Sequence, residues 1–224
     1  MTRQPLSMYV AVTGMLLCGL AWANDDLSVS DFDNWQERSF TGNTRYTVTA
    51  GDDKGLIVTA QTRGQASAFY RQGRVDLDTT PCLGWRWRIQ ETTHDLDERS
   101  KAGDDFAARV YVVKRGGLAF WRTKTINYVW SGSQATDQRW PNAYAGDNAI
   151  MWSLNSGNNK AGEWVTHSRD IQKDWQTAFS EDIDQLDGIA IMTDGDDSDS
   201  TLTAAYADLR FSARRSDGTC NGGG

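Results

Sequence analysis

Asp104-Asp105-Phe106-Ala107-Ala108-Arg109-Val110-Tyr111-Val112-Val113-Lys114 is the stretch whose reading decides the fold. Phe106, Ala108, Val110 and Val112 recur at every second position. An extended chain therefore shows them on one face and Asp105, Ala107, Arg109 and Tyr111 on the other. A helix would scatter the same residues around its circumference, so the segment reads as a half-buried strand.

The same period extends outward in both directions. Thr44–Ala50 and Gly55–Thr62 are β-rich runs, and Gly51-Asp52-Asp53-Lys54 between them predicts a hairpin turn. Ala66–Asp78 follows. In Leu83–Ile89, Leu83, Trp85, Trp87 and Ile89 share one face, with Arg86 and Arg88 opposite. Ile126–Trp130, Ile150–Leu154, Trp164–Asp170, Leu186–Thr193 and Ala204–Ser212 complete the strand set. In the last, Ala205, Ala207, Leu209 and Phe211 are expected inward, with Tyr206, Asp208 and Arg210 pointing away. Only Ile171–Phe179 predicts a helix, because Ile171, Trp175 and Phe179 repeat at helical spacing behind Asp170 as N-cap. Short strands without β-α-β alternation predict an all-β, antiparallel β-sandwich with one short helix. No linker or internal repeat divides residues 24–224, which read as one domain with a partly flexible tail over 212–224.

The first 23 residues read differently. Arg3 precedes the mostly apolar run Met8–Leu20, and Ala21-Trp22-Ala23 supplies a small-x-small exit, which are the three parts of a secretory signal. The run is too short to span a bilayer, which takes about 20 apolar residues. Cleavage after Ala23 is expected, leaving a soluble periplasmic or secreted protein. One cation leaves with the signal, so the formal net charge moves from −7 to −8, with 22 Lys+Arg against 30 Asp+Glu. That balance argues against nucleic acid or an anionic membrane as partner, since both reward clustered cations.

Cys82 and Cys220 remain after processing, and export makes them a candidate disulfide. Ten tryptophans are present, and one of them, Trp22, lies in the signal. Trp85, Trp87 and Trp152 read as core, whereas Trp121, Trp130 and Trp140 sit near turns where a ring could stack on a ligand. Opposite the core faces, Arg86, Arg88, Asp105, Arg109, Tyr111, Asn127, Tyr206, Asp208 and Arg210 offer planar donors, carboxylates and rings together. Sugars use that combination, although a solvated face with cross-strand Arg–Asp pairs has the same composition.

Two loops are densely charged. Asp95–Asp105 leads into the strand quoted first. Asp194-Gly195-Asp196-Asp197-Ser198-Asp199 packs four carboxylates into six residues, a donor set suited to Ca²⁺, and it is not an EF-hand because Ala205 stands at the twelfth position. Other chemistries thin out. His94 and His167 are far apart and no CxxC or HExxH occurs, which speaks against zinc. No G-x-S-x-G elbow marks a serine hydrolase. A carboxylate pair for glycoside hydrolysis is always available among so many acids.

Lys101-Ala102-Gly103-Asp104-Asp105-Phe106-Ala107-Ala108-Arg109-Val110-Tyr111-Val112-Val113 resembles the signature of an exported bacterial family, the domain of unknown function DUF3047. Leu83-Gly84-Trp85-Arg86-Trp87, Ile126-Asn127-Tyr128-Val129-Trp130, Trp140-Pro141-Asn142-Ala143, Arg169-Asp170-Ile171, Ile191-Met192-Thr193-Asp194 and Tyr206-Ala207-Asp208-Leu209-Arg210-Phe211 continue the likeness. It covers about residues 30 to 212 and departs slightly at Ala207, where many relatives are expected to carry Tyr, or a Gly nearby. The family is similar to galactose-binding-like jelly rolls. That likeness implies carbohydrate binding and a structural Ca²⁺ held between Asp208 and an N-terminal carboxylate such as Asp33; the acidic loop, through Asp194, Asp196 and Asp197, is the other candidate for the ion.

The expected ligand face comprises Lys101, Asp104, Asp105, Arg109, Tyr111, Asn127, Tyr128, Trp130 and Asn142. The leading expectation is a non-catalytic glycan-binding or envelope-associated module with a glycan or polysaccharide partner. A glycan hydrolase or lyase and a structural protein-interaction module are the alternatives.

Overall fold

The structure, a computed structural model, describes residues 29–51, 55–93, 95–117 and 122–220. The signal segment, the turn at 52–54, His94 and Trp121 lie outside the described residues. Within them, Gly51 N–H donates to the Gly55 carbonyl at 2.7 Å and so joins the two runs of the expected hairpin.

The alternating runs become strands that all take part in two sheets. In chain order they are β1 (Gln36–Thr41), β2 (Arg45–Ala50), β3 (Leu56–Arg63), β4 (Ala66–Asp76), β5 (Cys82–Ile89) and β6 (Ala108–Lys114). Then come β7 (Lys124–Ser131), β8 (Arg139–Asn142), β9 (Gly146–Ser156), β10 (Val165–Asp170), β11 (Gln185–Met192) and β12 (Thr201–Ser212). One sheet runs β1-β4-β11-β6-β7-β9-β8 and the other β10-β5-β12-β3-β2. The fold is a mostly β, two-layered sandwich. Neighbours pair antiparallel with one exception: β7 and β9 run parallel, Ile126 opposite Ile150 and Tyr128 opposite Trp152.

The helix α1 (Ile171–Phe179) starts behind Asp170, whose side chain accepts from Lys173 N–H. Ser180 ends it in the left-handed region, and Ile171 and Trp175 are buried. Two strands were not foreseen. β1 is exposed along its whole length, so no apolar alternation marks it. β8 contains Pro141, which argues against a strand anywhere but at an edge, and β8 is an edge.

Between the sheets lies an aromatic wall. Trp85, Trp87, Trp130, Tyr128 and Tyr206 are all at most 1% exposed, with Trp85 and Trp87 edge to face at 5.5 Å. Each such ring buries on the order of 200 Å², about 5 kcal/mol of transfer free energy before entropic costs, so this wall dominates the core. Leu83, Trp85, Trp87 and Ile89 face it as the alternation predicts, while Arg86 and Arg88 stack on Trp164 outside.

The expected facing of β12 is inverted over its first half. Leu202, Ala204 and Tyr206 point into the core. Asp208 then takes φ 57° at a register shift between Ala207 and Arg210. Such a bulge adds one residue to the strand and exchanges its faces, which returns Leu209 and Phe211 inward. Period-two counting cannot see an extra residue.

Cys82 at the head of β5 is joined to Cys220 by a disulfide, Cα to Cα 5.5 Å. Arg214 grips Asp170 with two hydrogen bonds of 2.8 Å, a second tie on the same C-terminal segment. Among the described residues no helix is long and apolar enough to cross a membrane.

Candidate functional site

The outer face of the seven-stranded sheet is where polar side chains gather, and strand register explains why. Arg109 on β6 stands opposite Met192 of β11 and Val129 of β7. One pair further along, Tyr111 stands between Ala190 and Asn127, and Asn127 faces Met151 on β9. Two apolar patches flank this centre: Phe106, Val129, Trp140 and Met151 on one side, Ala66, Ala68, Met192 and Tyr111 on the other. Above them opens a cleft of about 550 Å³ lined by, among others, Asp104, Arg109, Asn127, Tyr144, Asp194 and Asp196. A second hollow of about 660 Å³ shares Phe40, Tyr111 and Thr125 with it and carries Arg38, Arg71 and Arg115. Together they make one groove, acidic at one end and basic at the other.

Arg109 lies in its floor, 6% exposed. Its Nη2 donates to Asp194 Oδ2 at 2.6 Å and to the Asp104 carbonyl at 3.1 Å, and the guanidinium stacks over Phe106 at 4.8 Å. Burial works against its charge, but Asp194, Asp104 and Asp105 hold its pKa above the usual arginine value. Burial pushes the Asp194 carboxyl well up; Arg109 opposes this, and Asp104, Asp105 and Asp196 add to it. Asp104 is raised by burial too, against Arg109 and against the Asn142 amide, which donates to Asp104 Oδ2 at 2.8 Å.

Each remaining expected residue has a definite place. Asp105 is fully buried and accepts from the Asp197 and Ser198 amides at 3.2 and 2.7 Å, so it organises the acidic loop. Gly195 keeps that loop tight, since a Cβ there would lie 2.5 Å from the Ser200 carbonyl oxygen. Asn142 accepts from the Tyr144 and Ala145 amides, both at 3.0 Å, and thereby sets Tyr144 at the rim. The Tyr144 hydroxyl donates to Asp197, which pushes its pKa up to about 12, and Lys101 sits 5.0 Å over its ring. Asn127, 6% exposed, donates to Thr125 Oγ1 at 3.0 Å. Arg109, Tyr111, Asn127, Asn142, Asp104, Asp194, Asp196 and Asp197 all line the same cleft.

Two residues of the expected ligand face lie elsewhere. Tyr128 and Trp130 are core residues, because the even positions of β7 face inward; Tyr128 bonds Asp174 and Trp130 donates to the Gly157 carbonyl. Trp140 is likewise buried, 3% exposed, with its indole N–H on the Glu98 carbonyl. Asp208 pairs with Arg86 at 2.7 Å and Asp33 is exposed; neither joins a carboxylate cluster. Among the described residues the acidic groups placed to share an ion are Asp105, Asp194 and Asp196.

Phe40 and Tyr144 escaped the sequence reading. Both line the cleft, 56% and 57% exposed. Phe40 lies on the unforeseen strand β1, and Tyr144 directly follows the Trp140-Pro141-Asn142-Ala143 run.

Over 80% of this chain and 93% of the other, the structure resembles the xyloglucanase domain of NopAA, a type three effector from Sinorhizobium fredii solved with cellobiose. The identity is 11% and the TM-score 0.40. A carbohydrate-binding module of the β-sandwich superfamily, described as promiscuous in specificity, matches at 13% identity and TM-score 0.39, covering 84% of this chain and 63% of that one. A low affinity xylan binding module from Roseburia intestinalis matches at 10% and 0.27, over 78% and 96%. Likeness at this level carries no argument about a ligand. No curated protein matches. Residues 33–210 match the family described as Protein of unknown function (DUF3047), and the chain belongs to that family.

Proposed function

We propose that this domain is a non-catalytic glycan-binding module, exported after cleavage behind Ala23, that takes a saccharide along the groove of the seven-stranded sheet. One observation carries the reading. Phe40 and Tyr144 are large rings left more than half exposed, and both border a cleft that combines apolar surface with the polar side chains of Asp104, Arg109, Asn127 and Asn142. Exposed rings at such a mixed groove suit a ligand with C–H faces for stacking and hydroxyls for hydrogen bonds, which is the chemistry of a sugar. Asp196 and Asp197, both half-buried, offer acceptors for hydroxyls and repel anions at that end. The disulfide between Cys82 and Cys220 is in keeping with an oxidising compartment.

The test is a panel of soluble neutral and acidic polysaccharides, read for binding and for release of reducing ends on the same samples. The expected result is saturable binding without release. Release would move the reading to a glycan-cleaving enzyme, and absence of binding across the panel would remove it. Intact mass of the exported protein is expected to begin at Asn24; retention of Met1 on exported material would contradict the export claim.

A further inference from the structure

We infer that Asp105, Asp194 and Asp196, with Asp104 beside them, form a binding site for a hard divalent cation of the calcium type at the acidic end of the groove. This goes beyond glycan binding and does not depend on it. Ligand oxygens of the first three lie within 4.8 Å of one another. A Ca²⁺ ion holds its oxygens at about 2.3–2.6 Å, so atoms facing each other across it are roughly 4.6–5.2 Å apart and this group fits around it, whereas Mg²⁺ demands near-ideal octahedral geometry and gives up its waters reluctantly. The group holds carboxylates alone, without the His or Cys donors that zinc favours.

A second observation is independent of that spacing. Asp194 is 3% exposed and Asp104 5%, both line the cleft, and Oδ1 of each accepts no hydrogen bond. A buried carboxylate oxygen without a donor is costly, on the order of 1–3 kcal/mol or more, and folded proteins rarely retain two side by side. Charge points the same way. Asp104, Asp105, Asp194, Asp196 and Asp197 surround one buried guanidinium, that of Arg109, whose Nη2 already serves Asp194. A divalent cation between Asp194, Asp196 and Asp105 would offset that excess. Asp105 is preset for the role, because the Asp197 and Ser198 amides and the Ser198 hydroxyl fix its carboxylate, while Oδ1, with a single donor, keeps a lone pair. Asp196 approaches from the half-buried side, so the ion's remaining positions face the open groove.

Calorimetric titration of calcium chloride into the full exported protein after chelator treatment tests the site, with no saccharide present. One saturable site is expected. The melting temperature is expected to rise by about 5 °C or more at calcium roughly a hundredfold above Kd. Magnesium is expected to bind at least about tenfold more weakly. Asp196→Asn, which alters neither the Arg109 pair nor the Asp105 loop contacts, is expected to weaken calcium at least about tenfold. Asp208→Asn, on the other sheet, is expected to leave it unchanged. Calcium retained through chelator treatment, seen by elemental analysis and lost in Asp196→Asn, supports the site equally. No heat, no retained metal and no melting shift at millimolar calcium would overturn it, as would an Asp196→Asn protein that binds as tightly as the parent.

Discussion

Arg169 grips Asp174 through hydrogen bonds of 2.7 and 2.6 Å, and the Tyr128 hydroxyl donates a third to the same carboxylate at 2.6 Å. Arg109 reaches Asp194 through one, at 2.6 Å, and leaves its own Nε and Asp194 Oδ1 without partners. Both carboxylates are buried, and both guanidiniums lie over rings: Arg169 over Trp152 at 4.6 Å, Arg109 over Phe106 at 4.8 Å. The first pair closes the core where β10 meets α1, and its polar atoms are satisfied. The second lies under an open cleft with unused acceptors. A finished network rigidifies a fold, whereas an unfinished one at a groove leaves acceptors for a ligand to use.

If this contrast is real, the largest effect comes from breaking the finished pair. Asp174→Ala leaves the Arg169 charge and the Tyr128 hydroxyl without their acceptor, and is expected to cost about 3–5 kcal/mol in denaturant melts. Arg109→Ala is expected to cost less, about 2 kcal/mol, because it breaks one hydrogen bond to a carboxylate where Asp174→Ala breaks three, and the open cleft admits water to Asp194. Equal losses in the two variants would erase the distinction.

Acid separates the regions next. Burial, with Arg169 and Lys160 nearby, lowers the pKa of His167 to about 4, and its Nε2 lies 2.7 Å from Asn155 Oδ1. The unfolded chain takes up this proton near pH 6.5. Stability from a neutral His167 is therefore complete above that pH and lost as pH falls toward 4, by at most about 3 kcal/mol. The groove carboxylates Asp104, Asp194 and Asp197 have raised values, and their effect has the opposite sign: they favour the folded state in acid and lose that contribution as pH rises. Melts of parent and His167→Gln between pH 7 and 4 are expected to converge as pH falls, with the parent losing more. Parallel curves would show that His167 does not carry the acid sensitivity.

Much of this arrangement was legible beforehand. The alternation in β6 put Arg109 and Tyr111 on the face opposite Val110 and Val112, and the acidic loop at Asp194 stood out by charge alone. Asp170 and the spacing of Ile171, Trp175 and Phe179 gave the helix its bounds. What stayed hidden follows from physics that period and composition do not encode. The bulge at Asp208 exchanged the faces of β12, so Tyr206 went inward. Tyr128 and Trp130 pack inward because even positions of β7 face the core, and nearby Asn and Gly could not reveal that side. Phe40 and Tyr144 are functional candidates by virtue of exposure, a property of the assembled sheets. Nor could sequence tell that Arg109 is a buried partner of Asp194, 85 residues away.

Tyr144 gives the smallest expected effect on stability and the most direct test of the groove. Its ring is exposed, so Tyr144→Ala is expected to cost no more than about 1 kcal/mol of folding free energy. Packing of a sugar's C–H face on such a ring contributes about 1.4 kcal/mol or more, so affinity for the saccharide that the parent binds best is expected to fall at least about tenfold. Titrating that saccharide into parent and Tyr144→Ala, with melts run alongside, decides the central claim: a tenfold loss on an intact fold supports binding in the groove, and unchanged affinity would contradict it.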